Sequence, residues 1–271
     1  MRSVPLLAPL AAHLVPTAVI GYGFVLPAAG IAAFGAVGVG FGMSLVGTVL
    51  AYFAGVRMAL NTTHSAGWIA GVLSRQAAAP HGVLGRLLGR IWVSETKAVN
   101  AAAIDLLAPQ VHEHVLEIGF GPGRTVQLLS PWAAKVTGIE ISGTMLTAAR
   151  RRNAQAIQEG RVELVRGNGI TLPLPTSCVD AVVAVHTVYF WSQPDTTLAE
   201  IARVLRPGGR VVLAFRDGDS AAPRRFDLGV YRLYRANDLA RMLRQVGFTD
   251  IETRQLTGES GHVSCVMARS Y

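Results

Sequence analysis

An α/β fold is predicted for residues 94–271, a parallel sheet with helices on both faces, preceded by two transmembrane helices. Three observations carry this reading. From Ser94 onward, apolar runs of strand length alternate with helical patterns, as crossover connections between parallel strands require. The first strand runs into a turn with glycine at 119, 121 and 123, and a helix follows. Between Arg2 and Arg57 there is no charged side chain.

The uncharged stretch holds two apolar runs, Leu6 to Leu26 and Ile31 to Val56, separated by Pro27-Ala-Ala-Gly30. At ~1.5 Å per residue, either run as a helix crosses a ~30 Å hydrocarbon layer. Residues 1–60 therefore read as a helical hairpin anchor. The second run carries Gly35, Gly38, Gly40, Gly42 and Gly47, small residues that let helices approach closely in lipid. Their first use is packing against the other run; a homodimer contact is the second. Arg2 precedes the hairpin and Arg57, Arg75, Arg86 and Arg90 follow it, so both ends are expected on the cytosolic side of the cytoplasmic membrane. Residues 61–93 form a basic linker. Within it, Leu84, Leu87, Leu88, Ile91 and Trp92 share one helical face and Arg86 and Arg90 the other. That helix either lies among lipid headgroups or packs on the following domain.

Strands are expected near 114–118, 134–140, 162–166, 179–185 and 210–215. A helix at 236–246 separates these from two more, near 249–255 and 262–269. In such a sheet ligands bind at the carboxyl ends of the strands.

The turn after the first strand defines the ligand. Glycine there allows a tight bend and close approach of backbone to ligand. Glu140, closing the second strand, lies 21 positions beyond Gly119, an offset that suits a carboxylate accepting both ribose hydroxyls. An adenosine-containing ligand is implied. A dinucleotide fingerprint places glycine after Gly123, where this chain has Arg124, and no Gly-Lys-Ser/Thr of a P-loop occurs. Glu117, on the strand itself, attracts a cation and repels a pyrophosphate.

The pattern Glu117-x-Gly119-x-Gly121-x-Gly123 with an acidic end to the second strand resembles the class I S-adenosylmethionine-dependent methyltransferases. The likeness continues in order. Ile139-Glu-Ile-Ser-Gly-Thr-Met-Leu146 is similar to that family's segment in which the acid holds the ribose and residues such as Ile141 and Met145 flank the adenine. Arg166-Gly-Asn-Gly169 before Leu172-Pro-Leu-Pro175, Val179–Val185, and Leu205-Arg-Pro-Gly-Gly209 before Arg210–Phe215 match later motifs. The resemblance covers about residues 94–271 and is nearest the subgroup that includes quinone-biosynthesis enzymes. It implies a Rossmann-like doubly wound seven-stranded sheet with a reversed last hairpin, and S-adenosylmethionine as cofactor. It also implies a cofactor site of Glu117, Gly119, Gly121, Gly123, Glu140, Ile141, Met145, Asn168, Gly169 and His186. The family usually has Asp where this chain has Asn168; the amide either accepts from the adenine amino group or simply shapes a turn.

Transfer from a sulfonium is an in-line displacement, so positioning supplies much of the catalysis. His186, just after the fourth strand, is the candidate catalytic base, or else lines the cofactor pocket without doing chemistry. Tyr189, Phe190 and Trp191 follow as an aromatic wall suited to a lipophilic acceptor, or as core packing.

The chain has 25 basic and 17 acidic residues, a net charge of +8. Met1 to Ser94 contains five arginines and no acid, so the excess favours a membrane surface over nucleic acid. Arg150-Arg-Arg152 reads as a solvated helix face. Cys178 and Cys265 lack metal spacing, and no His, Cys and carboxylate cluster reads as a metal site. The expected function is membrane-anchored methyl transfer to a lipophilic small molecule or lipid. A catalytically silent S-adenosylmethionine-binding membrane scaffold is the alternative.

Overall fold

The computed structural model describes residues 67–218, 227–258 and 261–271. The expected hairpin of residues 1–60, with its dimer face, and Arg224-Arg225 lie outside the described residues. Among the described residues no helix is long and apolar enough to cross a membrane.

Among the described residues three helices come first: α1 (Gly67–Ala78), α2 (Gly82–Glu95) and α3 (Lys97–Leu107). The sheet domain follows as β1 (His114–Ile118), α4 (Arg124–Leu129), β2 (Lys135–Glu140), α5 (Gly143–Arg152), α6 (Ala154–Gln158), β3 (Val162–Arg166) and β4 (Val179–Val185). A 3-10 turn at Val188–Phe190 leads to α7 (Pro194–Val204), β5 (Leu205–Arg216), α8 (Ala236–Gln245), β6 (Thr249–Gly258) and β7 (Gly261–Arg269).

The seven strands lie in the order β3-β2-β1-β4-β5-β7-β6. Pairs β1–β2, β2–β3, β1–β4 and β4–β5 are parallel, while β7 runs antiparallel to both β5 and β6. This is the doubly wound sheet with a reversed last hairpin that the resemblance implies. β5 begins earlier than expected. Leu205 pairs with Val179, and the register shifts before Ala181 meets Arg210, so the Arg-Pro-Gly-Gly turn interrupts a strand already begun.

Each inner strand feeds two cores. Leu116, Val182, Ala184, Leu213 and Phe215 pack with Leu198 and Ile201 of α7 and Leu239 and Leu243 of α8. Their neighbours Val115, Ala181, Val183, Val212 and Ala214 pack with Ala103 and Leu107 of α3, Val126 of α4 and Ala149 of α5. Burial on both faces is why these strands read as continuous apolar runs rather than alternating ones.

α2 differs from its expected face. Gly85, Leu88 and Gly89 are its buried residues, and Leu84 is 38% exposed. The glycines let the helix close on α5, where a Cβ on Gly89 stands 3.0 Å from Met145 Cε. Arg152 also departs from the solvated face expected of 150–152. Arg150 and Arg151 are exposed, but Arg152 turns back and donates to the Pro122 carbonyl at 2.8 Å.

Candidate active site

Strand order reverses between β1 and β4, where chains leaving the carboxyl ends diverge and open a crevice. A cavity of about 460 Å3 occupies it, within the size range of small-molecule sites. Its walls include Glu117, Gly119, Gly121, Glu140, Ile141, Met145, Asn168, Gly169 and His186, so the fold gathers nearly every residue singled out from the sequence.

Gly123 is the exception; it does not line the cavity. A Cβ there would stand 2.6 Å from Ala149 Cβ, and one on Gly119 would stand 2.2 Å from Thr187 Cγ2. These two glycines make room for the protein itself. At Gly121 (φ +52°) an added Cβ meets nothing within 4 Å among the described residues, so this glycine alone keeps space open for a ligand.

Glu140 sits at the end of β2 with both oxygens engaged. Oε2 accepts from Gly121 N–H at 2.9 Å and Oε1 from Ser142 N–H at 2.8 Å. Each oxygen keeps a lone pair for a hydroxyl. Ser142 caps α5 by accepting from Met145 N–H at 3.1 Å and donates to the Pro80 carbonyl. Ala77 to Pro80, at the end of α1 and the start of the link to α2, thereby close one wall of the cavity. Asn168 Oδ1 accepts from Ile170 N–H at 3.0 Å, the turn-shaping role its sequence position also permits.

Glu117 is 2% exposed. Burial pushes its pKa up to about 8, helped by the nearby Glu140 and opposed by Thr125 and Val126 donors. Among the described residues, its Oε2 and the Nε of Arg124 are buried without a hydrogen-bond partner, and both residues line the cavity. An orphaned carboxylate oxygen and an orphaned guanidinium nitrogen suit a ligand bearing an ammonium and a carboxylate. With Glu140 presented for a ribose, this donor set fits S-adenosylmethionine. Glu117 and Arg124 would hold the amino-acid end and Glu140 the ribose. Bound there, the cofactor supplies a methyl group already activated on a sulfonium.

His186 adopts φ 56°, a left-handed conformation that is costly for a residue with a side chain and clusters at functional sites. Its Nδ1 lies 2.6 Å from Tyr189 Oη. Which of the two groups holds the shared proton depends on the imidazole tautomer. Burial, aided by the Arg216 charge, lowers the His186 pKa to about 4. His186 is thus a neutral ring at pH 7. Tyr189, Phe190 and Trp191 line the same cavity, although Tyr189 and Trp191 also belong to the core. Residues not anticipated from sequence complete the walls: Trp92 of α2, Thr187, Arg216 at the end of β5, and Tyr231. Among the described residues no cluster of His, Cys, Asp or Glu suits a metal ion.

Comparison with known proteins agrees with this geometry. Residues 116–213 match the family model described as a methyltransferase domain. The chain is 30% identical over 138 residues to the uncharacterized methyltransferase YdaC of Bacillus subtilis, covering 50% of this chain and 74% of that protein. It is 34% identical over 157 residues to the O-methyltransferase cnsE of Penicillium expansum, covering 55% and 57% respectively. It is 35% identical over 145 residues to a demethylmenaquinone methyltransferase of Tropheryma whipplei, covering 54% and 57%. The chain thus spans little more than half the length of these last two relatives. In fold it resembles a SAM-dependent methyltransferase from Aquifex aeolicus, with a TM-score of 0.52 at 20% identity over 64% of this chain and 89% of that one. The chain belongs to the S-adenosylmethionine-dependent methyltransferase family.

Proposed function

We propose that this protein is a membrane-anchored methyltransferase that moves the methyl group of S-adenosylmethionine to a lipophilic small molecule or lipid. Its enzyme domain faces the cytosol, where that cofactor is made. The observation that carries the reading is the cavity itself. The end built from Glu117, Gly121 and Glu140 is continuous with walls of Trp92, Tyr189, Phe190 and Tyr231, and flat apolar walls of this kind suit a lipophilic acceptor. Two relatives are named for O-methylation and for a quinone, which supports the same acceptor class. The two uncharged runs before Arg57 and the acid-free, arginine-bearing first 94 residues support the membrane location. Tethering raises the enzyme's concentration where such an acceptor resides.

Removing residues 1–60 tests the anchor. Turnover of a bilayer-embedded acceptor should fall on the order of 100-fold, the scale of lost effective concentration, while S-adenosylmethionine affinity by calorimetry stays put. Equal loss of both would count against it. Incubating membranes with methyl-labelled cofactor and identifying the labelled lipid names the acceptor. A silent scaffold, the reading left open by Asn168 and by a His186 whose Nδ1 is occupied, predicts cofactor binding without release of S-adenosylhomocysteine.

A further inference from the structure

Resting on the methyltransferase reading above, we propose that Asn153 is a positioning residue, which with Arg152 holds the glycine turn in its cofactor-binding shape before the cofactor arrives. Both residues lie where α5 ends. Arg152 Nη1 donates to the Pro122 carbonyl at 2.8 Å, and Asn153 Nδ2 donates to the Gly123 carbonyl at 3.1 Å. These carbonyls belong to the two peptide planes that flank Gly123. Because peptide units are planar, holding both fixes φ and ψ of the residue between them. Gly123 sits at φ 76° and ψ 27°, one of many conformations open to a glycine. The second plane leads directly into Arg124, which lines the cavity and whose buried Nε has no partner among the described residues. The Arg124 charge acts on Arg152, so the clamp lies beside the group that would hold the amino-acid end of the cofactor.

Stability alone does not account for Asn153. It is 3% exposed, and its two amide protons go to the Gly123 carbonyl and, at 2.9 Å, to the Ala149 carbonyl. Carbonyls only accept, so the amide oxygen faces the other way. There it is buried without a partner among the described residues, and a bare buried acceptor is destabilising. Neither carbonyl depends on the side chain. Gly123 also accepts from Gln127 N–H at 3.2 Å, and Ala149 from the Asn153 backbone N–H at 2.9 Å. An apolar residue of the same size would serve the fold as well; what it could not do is hold the Gly123 carbonyl in one direction. α5 carries this constraint to the other side of the cofactor. Its first turn holds Met145, on the cavity wall, and follows Ser142, whose N–H donates to Glu140 Oε1. One helix thereby keeps the glycine turn in register with the carboxylate presented to the ribose. A turn ordered in advance removes that entropy cost from binding.

The test uses the full-length chain in lipid nanodiscs, with S-adenosylhomocysteine and S-adenosylmethionine as ligands. Asn153→Ala removes the donor, and Asn153→Leu removes it while keeping the volume. Each should weaken S-adenosylhomocysteine binding about 10-fold by calorimetry, the equivalent of ordering one residue's backbone on binding. The urea midpoint should move little. In the ligand-free variants, amides of residues 119–127 should exchange faster than in the unmodified chain, and saturating ligand should remove that difference. With membrane extract as acceptor, KM for S-adenosylmethionine should rise while the saturated rate holds. An Asn153→Leu protein that binds as tightly as the unmodified chain overturns the proposal, because volume then suffices. So does unaltered exchange at the turn, or a fall in saturated rate with KM unchanged. Should neither variant fold, Arg152→Met decides by the same readings, since it releases the Pro122 carbonyl from a half-buried position. Unmodified protein that binds neither ligand defeats the methyltransferase reading itself, a separate result.

Discussion

Gly121 and Glu117 divide the work of the first turn. Since an added Cβ at Gly121 enters open cavity while one at Gly119 strikes Thr187 at 2.2 Å, their alanine variants should fail differently. Gly119→Ala should destabilise by about 2 kcal/mol or more, as forced overpacking does, visible in a urea melt. Gly121→Ala should cost about 1 kcal/mol for its positive φ yet lose most cofactor affinity by calorimetry. Similar stability losses with intact affinity in both would refute the distinction.

Glu117 makes cofactor binding depend on pH. Its pKa is raised from the ordinary 4.5 to about 8, so between those values the folded, ligand-free protein holds a proton that the unfolded chain has released. Stability then falls as pH rises through that window. A cationic ligand favours the ionised carboxylate, so affinity for S-adenosylmethionine should climb over the same window. Binding at pH 7 should release a proton. Glu117→Gln should flatten the stability slope in thermal melts and remove proton release in calorimetry across buffers of different ionisation enthalpy. A Gln variant with unchanged proton release would place the linkage elsewhere.

At the scale of elements, joints between distant segments hold the site's frame. Arg210 of β5 grips both oxygens of Glu113 at 2.7 Å and donates to the Ala108 carbonyl at 2.9 Å. It thus ties the end of α3 to the sheet beside β4. The guanidinium keeps the Glu113 pKa below its ordinary value, so this contribution is present above pH 4.5 and is lost as pH falls through the lowered value. Arg210→Ala strands a mostly buried carboxylate and should cost about 3 kcal/mol by chemical denaturation at pH 7. The deficit should shrink in acid; one that is constant down to pH 3 would mean packing, not charge, is at stake.

The strands were legible because residues buried on both faces give unbroken apolar runs, and Val179–Val185 is the clearest case. The helix at 236–246 was legible from its periodicity. The early start of β5 was not, because Leu205 pairs with Val179 through a shifted register that local composition does not encode. Nor was the packing face of α2: five large apolar residues marked one side, whereas Gly85 and Gly89 allow the closer approach.

Across the whole molecule, the charge asymmetry and α2 point the same way. Val83 is 72% exposed, beside exposed Leu84, Arg86 and Arg90, while the opposite side of the helix packs on α5. Residues of α2 also wall the cavity, so a helix resting on lipid would set the cavity beside the bilayer. In anionic bilayers, hydrogen exchange over residues 82–93 should slow relative to zwitterionic ones. Each arginine near such a surface contributes about 1 kcal/mol, so Arg86→Gln with Arg90→Gln should abolish the difference. Equal exchange in both bilayers would count against lipid contact by α2.

By itself the sequence determined the alternation of strands and helices, the glycine turn, the acid at the second strand's end and the family. Short-range sterics and periodicity act between residues near in the chain, and these features need nothing more. Tertiary structure alone decided that Gly119 and Gly123 serve packing while Gly121 serves the ligand, because Thr187 and Ala149 come from other elements. It also decided that Glu117 holds its proton, that His186 is neutral, and that Trp92, Arg216 and Tyr231 share one chamber. Burial and proximity depend on what the fold brings together, and no local pattern records them.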